Sequence, residues 1–530
     1  MSRAAVVRYH DGTKHHFHRF ARSLGYLDWA SQPTPFRSFE GAASVPLYPR
    51  PDAVPADYRP ISVAYDALYR ARPRPAAVTI DAVGDLLRHA LGLSAWKEFR
   101  GSRWSLRVNP SSGNLHPTEA YVVFGTGVYH YASDRHALEQ RCAFDEPIDG
   151  VVVALTSIHW REAWKYGERA FRYCQHDLGH AIAALRLSAS MLGWNLALAP
   201  DWSHREIAAL TGIDRDEDFV DAEREEPGCI LTRAGQDVSP ASLVDTVRAG
   251  RWSGRASQLS EDHVQWTFID EVASATADPG RTSAAPAPPA APAPPADPAP
   301  PALAGAPHDA RALLLQRRSA LAFDGRTTIS RPAFLRMLAR TVPSAAPPWD
   351  ALWWSPRIHF ALFVHRVDDV DPGLYVLPRD PAATDRLRAA FSRDFLWESA
   401  DAAVPLVLLA RSDCRRLAER VSCDQEIASD GFFSLGMIAD FDRSLEEFGP
   451  AFYRHLFWES GFVGQILYLE AEAAGARSTG IGCFYDDPVH DVLGIGDHTF
   501  QSLYHFTVGM PVEDTRLTTE PGYRWELGDA

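Results

Sequence analysis

Arg169-Ala-Phe-Arg-Tyr173-Cys-Gln-His-Asp-Leu-Gly179-His-Ala-Ile-Ala-Ala-Leu-Arg-Leu-Ser-Ala-Ser-Met-Leu-Gly193 has an echo in the second half of the chain, Tyr453-Arg-His-Leu-Phe-Trp-Glu459-Ser-Gly461-Phe-Val-Gly464-Gln465-Ile-Leu-Tyr-Leu-Glu-Ala-Glu-Ala-Ala-Gly475. Both read as a long apolar-periodic helix with small residues that permit a close helix neighbour, so each is expected to pack against the other. Around them other landmarks recur in the same order, the mark of an internal repeat. Val78-Thr-Ile-Asp81 and Thr327-Thr-Ile-Ser330 each open a helix, with Asp81 or Ser330 expected to satisfy the first amides. Ala120 to Tyr131 and Phe360 to Tyr375 each read as strand, turn and strand. Val151-Val-Val-Ala-Leu-Thr-Ser-Ile158 and Val404-Pro-Leu-Val-Leu-Leu-Ala410 are equated as buried strands. The pattern is an α+β domain, duplicated.

The 530 residues, 46% of them hydrophobic, suffice for two cores of ordinary size. The expected division is 1–240 for the first domain, 241–272 for a connecting segment, 273–307 for a Pro/Ala-rich linker and 308–530 for the second domain. At roughly 3 Å per residue, such a polyproline-like linker reaches across a domain face. The net charge of -15 disfavours nucleic acid and anionic membrane as partners. Six scattered cysteines without a Cys-x-x-Cys pair indicate neither a zinc knuckle nor a disulfide framework. With no apolar signal core at the start and no run of about 20 apolar residues, a cytoplasmic protein is expected.

Two segments do not recur. Arg107-Val-Asn-Pro110-Ser111-Ser112-Gly113-Asn114-Leu-His116-Pro117 belongs to the first half alone, where the second has Trp353-Trp-Ser-Pro-Arg; Arg317-Arg318-Ser319 belongs to the second alone. Together with Tyr9-His10 through Trp29, Trp164-Lys165-Tyr166-Gly167-Glu-Arg169 and Gly480-Ile481-Gly482-Cys-Phe484-Tyr-Asp486-Asp487, they make the chain resemble the nitroreductase superfamily, in its SagB-like branch of thiazoline and oxazoline dehydrogenases. The resemblance covers nearly everything outside the linker.

It implies two nitroreductase-like domains, each a central sheet flanked by helices, packed as an intramolecular pseudo-dimer, with FMN bound between them. Arg317, Arg318 and Ser319, at a helix start, are expected to hold the FMN phosphate, with Arg516 as the C-terminal basic residue. Pro110, Ser111, Ser112, Gly113 and Asn114 would approach the flavin ring edge. Gly480, Ile481 and Gly482 would offer backbone amides near N5. Each pattern survives in one half only, so one FMN per chain is expected, and because the central interface is already intramolecular, a monomer is expected too.

Lys165-Tyr166 matches the pair that azoline dehydrogenases place beside the flavin, where a base must take the proton that leaves with the hydride. With unperturbed pKa values near roughly 10, the two could share an ammonium and a phenolate in a dry site; a solvated lysine and a packing tyrosine are the plain alternative. His116 follows the flavin loop and is a candidate for substrate contact, or for a backbone hydrogen bond. His10, His15, His16 and His18 lack the spacing of a metal site and read as a surface packed on the core; no metal is expected. Trp353-Trp354 is read as filling a vacated second flavin site.

The expected function is an FMN-dependent oxidoreductase that dehydrogenates an azoline-like or other natural-product or peptide substrate. One alternative is an NAD(P)H-dependent nitro- or quinone-type reductase. No Gly-x-Gly-x-x-Gly motif opens a helix, so the nicotinamide would be a transient co-substrate. Another is a non-catalytic flavin-binding or scaffold subunit that keeps the fold without turnover.

Overall fold

The computed structural model describes residues 2–49, 62–72, 74–236, 238–281, 308–391 and 393–527. Most of the Pro/Ala-rich linker, residues 282–307, lies outside the described residues. At the centre two helices cross, Ala170–Met191 and Phe452–Ala473, each of 22 residues and each buried along its whole length. Their tenth residues set the crossing. A Cβ on Gly179 would stand 2.2 Å from the Trp458 carbonyl oxygen, and one on Gly461 would stand 2.1 Å from that of His176. Backbone therefore meets backbone reciprocally, as like surfaces do across a twofold axis, here within one chain.

Each half wraps its central helix with an antiparallel sheet. In the first, Thr118–Ala132 and Ala137–Ser157 form a long hairpin, Glu226–Arg233 pairs on the other side of Ala137–Ser157, and Leu196–Leu198 follows. In the second, seven strands run in the order Glu398–Ser399, Val407–Arg411, Gly373–Leu377, Ile358–Val364, Phe433–Asp440, Phe500–Gly509 and Arg477–Ile481. The α+β pseudo-dimer expected from the sequence is the fold observed.

Two local expectations are corrected. In each half a strand leads into a short helix and then the central helix: Ala137–Ser157 into His159–Tyr166, and Phe433–Asp440 into Phe441–Phe448. The counterpart of 151–158 is therefore Phe433–Asp440, while 404–410 runs into the outer strand Val407–Arg411. All three are apolar runs, and only the helices that follow distinguish them. The helix Ile80–Arg88 is capped by Thr79, extended at φ -129, whose hydroxyl accepts from the Ala82 amide. Asp81 is already inside the first turn, and Ser330 holds the cap position of Arg331–Thr341 without a side-chain hydrogen bond.

The halves are intertwined beyond the crossing. Thr518–Pro521, at the far end of the second half, pairs antiparallel with Leu93–Phe99 of the first, which in turn pairs with Ser102–Arg107. In the other direction, His10 of the helix Ser2–Gly12 reaches the Tyr453 hydroxyl (3.3 Å) and Gln501 (2.9 Å). Asp486 takes Arg169 at 2.9 Å and Arg172 at 2.7 Å, all three buried. Residues 241–272 are built onto the first half: the helix Pro240–Arg248 is followed by Arg251–Trp252, which pairs with Ala137–Ser157, and the helix Thr267–Ala275 runs past 272.

Candidate active site

Between the halves lies a cavity of about 450 Å³, within the roughly 300–1,000 Å³ of small-molecule sites. Arg317, Arg318, Ser319, Pro110, Ser111, Ser112, Gly113, Asn114, His116, Tyr166, Gly480, Ile481 and Gly482 all line it. Lys165 and Arg516 are not part of that lining.

One end is cationic. Arg317 closes the helix Ala310–Gln316 at its C-terminal end, so the expected helix start is corrected: the arginines sit where helix carbonyls favour positive charge. The Arg317 side chain crosses to the first half, donating to the carbonyls of Val108 and Arg107, both at 3.0 Å. Its remaining terminal nitrogen is buried with no hydrogen-bond partner. Arg318 donates to the carbonyls of Ser94 (2.8 Å), Leu315 and Arg317 (both 2.7 Å). No described carboxylate forms an ion pair with either guanidinium. Burial holds Arg317 below its ordinary range, and burial together with Arg317 brings Arg318 down to about 10. Lys97, also on the cavity wall, is lowered by burial and by Arg318. Buried cations that weaken one another in this way favour an anion.

Arg516 does not complete this end. It is 71% exposed, pairs with its neighbour Asp514 at 2.8 Å, and lies over the Phe99 ring. Lys97, on the strand Leu93–Phe99, lines the cavity near Arg318 instead, although its sequence carried no phosphate-binding pattern.

Opposite stands the Pro110–Asn114 loop, whose polar groups hold the loop itself. The Ser112 amide and hydroxyl both donate to Asp177 (3.1 and 3.2 Å), and the Ser111 hydroxyl accepts from the His116 amide at 2.7 Å. Asn114 donates to the Ser105 carbonyl and meets the His116 Nε2 at 2.9 Å. His116 thus both lines the cavity and braces the loop, while its Nδ1 is buried and unpartnered. Burial and then Arg107 keep its imidazole neutral.

Lys165 and Tyr166 converge on Gly113. A Cβ there would lie 2.6 Å from the Tyr166 hydroxyl and 3.2 Å from the Lys165 Nζ, and the residue already needs φ +59. The helix His159–Tyr166 that carries the pair stops at Gly167, where a Cβ would strike the Arg22 carbonyl at 2.2 Å. The ammonium of Lys165 lies 5.2 Å from the Tyr166 ring centroid. The phenolate expectation is overturned: burial, then Glu162, Tyr173 and Asp177, push the Tyr166 hydroxyl well above its ordinary range. A hydroxyl shifted in that direction keeps its proton and can donate a hydrogen bond.

Sequence reasoning missed the acids beneath this pair. Burial raises Asp177 to about 7, and burial with Asp177 raises Glu162 well above the usual carboxylate range. One oxygen of each is buried without a hydrogen-bond partner. The available signal was positional: Asp177 and Glu459 are each the eighth residue of equal-length helices.

On the third wall, a Cβ at Gly480 would lie 1.9 Å from the Tyr504 hydroxyl, and one at Gly482 would lie 2.2 Å from the Tyr173 ring. These glycines admit two tyrosines that also line the cavity. The Gly480 amide is not the free donor expected, because it donates to the Tyr468 hydroxyl at 2.9 Å.

The pseudo-symmetric position is filled. Gly113 and Trp353 each lie five residues before their strands begin at Thr118 and Ile358. Trp353 packs edge-on against Trp354 and Phe448, with the Arg281 guanidinium 4.2 Å from its ring centroid. Beside it Asp350 pairs with Arg186 at 2.7 Å.

The arrangement of both halves recurs in a solved structure. A chain from Anabaena variabilis ATCC 29413 described as a nitroreductase superposes with a TM-score of 0.68 at 20% identity, over 96% of this chain and 99% of that one. The fold is that of a nitroreductase. No family model matches the sequence. Among curated proteins, this nitroreductase-like chain is 28% identical over 194 residues to the trifolitoxin-processing protein TfxB of Rhizobium leguminosarum bv. trifolii. It is 29% identical over 75 residues to a protein of Methanocaldococcus jannaschii described as a nitroreductase. The matched stretches span 52% and 36% of those relatives. Among the described residues, no helix is long and apolar enough to cross a membrane.

Proposed function

We propose that the protein is an FMN-dependent oxidoreductase with one flavin site built from both halves. The observation that carries this is the pair of unneutralised guanidinium groups of Arg317 and Arg318 facing the Pro110–Asn114 loop across one cleft. The residues fit the group: Arg317, Arg318, Ser319 and Lys97 would hold a phosphate dianion. The tyrosine-lined and glycine-lined wall would take a flat ring. Bound there, FMN would supply a two-electron acceptor.

The substrate we propose is an azoline-like ring in a peptide or natural product. Tyr166, held protonated, donates a hydrogen bond or a proton, and Asp177, poised near neutrality, can hold the proton the substrate gives up. The likeness to a protein named for trifolitoxin processing supports a peptide-like substrate. A second reading, reduction by NAD(P)H, is favoured by the cavity mouth, where Leu321 and Val512 are 73% and 51% exposed and offer an apolar lip to a docking nicotinamide.

The test is a flavin count per chain in the purified protein and its variants. One FMN is expected, lost in Arg318→Ala and Ser112→Ala from opposite halves. Tyr166→Phe should keep FMN while losing conversion of a thiazoline-bearing peptide to the thiazole. A protein that takes up no added FMN overturns the reading. NADPH bleaching the flavin while the thiazoline survives selects the reductase.

A further inference from the structure

Cys423 and Cys483 differ from the other cysteines. Cys142, Cys174, Cys229 and Cys414 are buried, whereas these two are half-buried and Cys483 lines the cavity directly after Gly482. Their sulfurs lie 2.8 Å apart, with a formed disulfide at roughly 2.0 Å. Cys423 follows the helix Arg415–Val421 in the left-handed conformation at φ 57, with its sulfur against Cys483 behind the cavity lining. Gln425 fastens the two segments by donating to the Cys483 carbonyl at 3.0 Å.

A metal ion fits the pair poorly. His15 Nδ1 is 3.7 Å from the Cys483 sulfur. Two thiolates bound tetrahedrally to one zinc at about 2.3 Å would lie roughly 3.7 Å from each other, well beyond the separation found.

We propose that Cys423 and Cys483 are a dithiol–disulfide redox pair on the cavity wall, oxidised by a small-molecule disulfide that enters the cavity. Cys483 is the attacking sulfur, because of the two it is the one that lines the cavity, and the Arg169 guanidinium favours its thiolate. The Cys483 thiolate attacks one sulfur of R–S–S–R, forming a mixed disulfide and releasing RS⁻. Cys423 then loses its proton and attacks the Cys483 sulfur, forming the internal disulfide and releasing the second RS⁻. Two protein thiols are oxidised and one disulfide is reduced to two thiols. The bond would tie the segment bearing Gly480 and Gly482 to the turn after Arg415–Val421, fixing one wall of the cavity. The proposal does not depend on the flavin reading.

The experiment incubates the full-length protein with 2-hydroxyethyl disulfide, then alkylates under denaturing conditions and records intact mass and peptide maps. The expected result is the loss of two alkylatable thiols per chain, a Cys423–Cys483 crosslinked peptide, and recovery of both thiols with dithiothreitol. Cys423→Ser should instead trap one hydroxyethylthio adduct on Cys483, and Cys483→Ser should trap none on Cys423. The four buried cysteines are internal controls, and cooperative unfolding of each variant establishes that it is folded. Six alkylated thiols in the treated wild type, an adduct confined to Cys423, or stoichiometric zinc bound by the pair would overturn the proposal.

Discussion

Asp177 and Glu459 stand at the same position of the two central helices, each holding amides of the loop that enters its own sheet, and only Glu459 is met by an arginine. Asp177 accepts from the Ser112 amide, and Glu459 from the amides of Arg357 and Ile358. Arg379 closes on Glu459, both side chains buried. One acid is thus neutralised, and the other is a carboxyl without an ion-pair partner on the cavity wall.

Asp177 should therefore give the protein a specific pH dependence. Its folded pKa, about 7, lies above the ordinary 3.8, so the native state keeps a proton that the unfolded chain releases. That contribution is present at low pH and lost as pH rises from about 4 to about 7, by at most about 4 kcal/mol. Asp177→Asn removes it. Melting profiles of wild type and variant should diverge across this window, with the variant gaining toward neutral pH; parallel profiles would refute the assignment.

Gly179→Ala and Gly461→Ala should each destabilise the fold, because either methyl must push one central helix off the other's carbonyl. The cost expected is about 1–3 kcal/mol or more each, read from denaturant midpoints. Similar penalties are expected for the two, since the contacts are reciprocal.

Asp486→Asn should cost about 3–5 kcal/mol, because it leaves Arg169 and Arg172 buried without a counter-charge. Arg169 and Arg172 hold the Asp486 carboxyl far below the usual carboxylate range despite its burial. The wild-type pairing is thus at full strength above about pH 4 and weakens only as acid falls below that value. Chemical denaturation at pH 7 should resolve the difference.

Tyr166 should show no tyrosinate absorbance up to pH 10 in a difference titration against Tyr166→Phe, because burial and then the neighbouring Glu162 oppose its ionisation. Gly113→Ala should cost about 1 kcal/mol or more from the strained backbone alone. It should also displace the Tyr166 hydroxyl, lowering turnover more than flavin content.

The repeat, the central helices and the cleft were legible because each leaves a local mark: apolar period, glycine spacing, a loop of small polar residues. What escaped depends on neighbours distant in sequence. Asp177 looks like any helical acid until Ser112 is seen upon it, and the shift of the Tyr166 hydroxyl comes from its burial first and from Glu162 after that. Arg516 has the expected place in the chain, but Asp514, two residues away, satisfies it first. The apolar run at 404–410 resembles 151–158 in composition alone, because hydrophobicity reports burial and not which neighbour a strand has.

The strand Thr518–Pro521 lends its backbone to Leu93–Phe99, and the Trp96 indole donates to the Gly522 carbonyl from 426 residues away. Until that late segment is synthesised, the amino-terminal portion carries an open ladder on which any stray extended peptide could dock. Separately expressed halves would inherit this exposed edge, so solubility should depend on co-production, with each fragment acting as the other's chaperone.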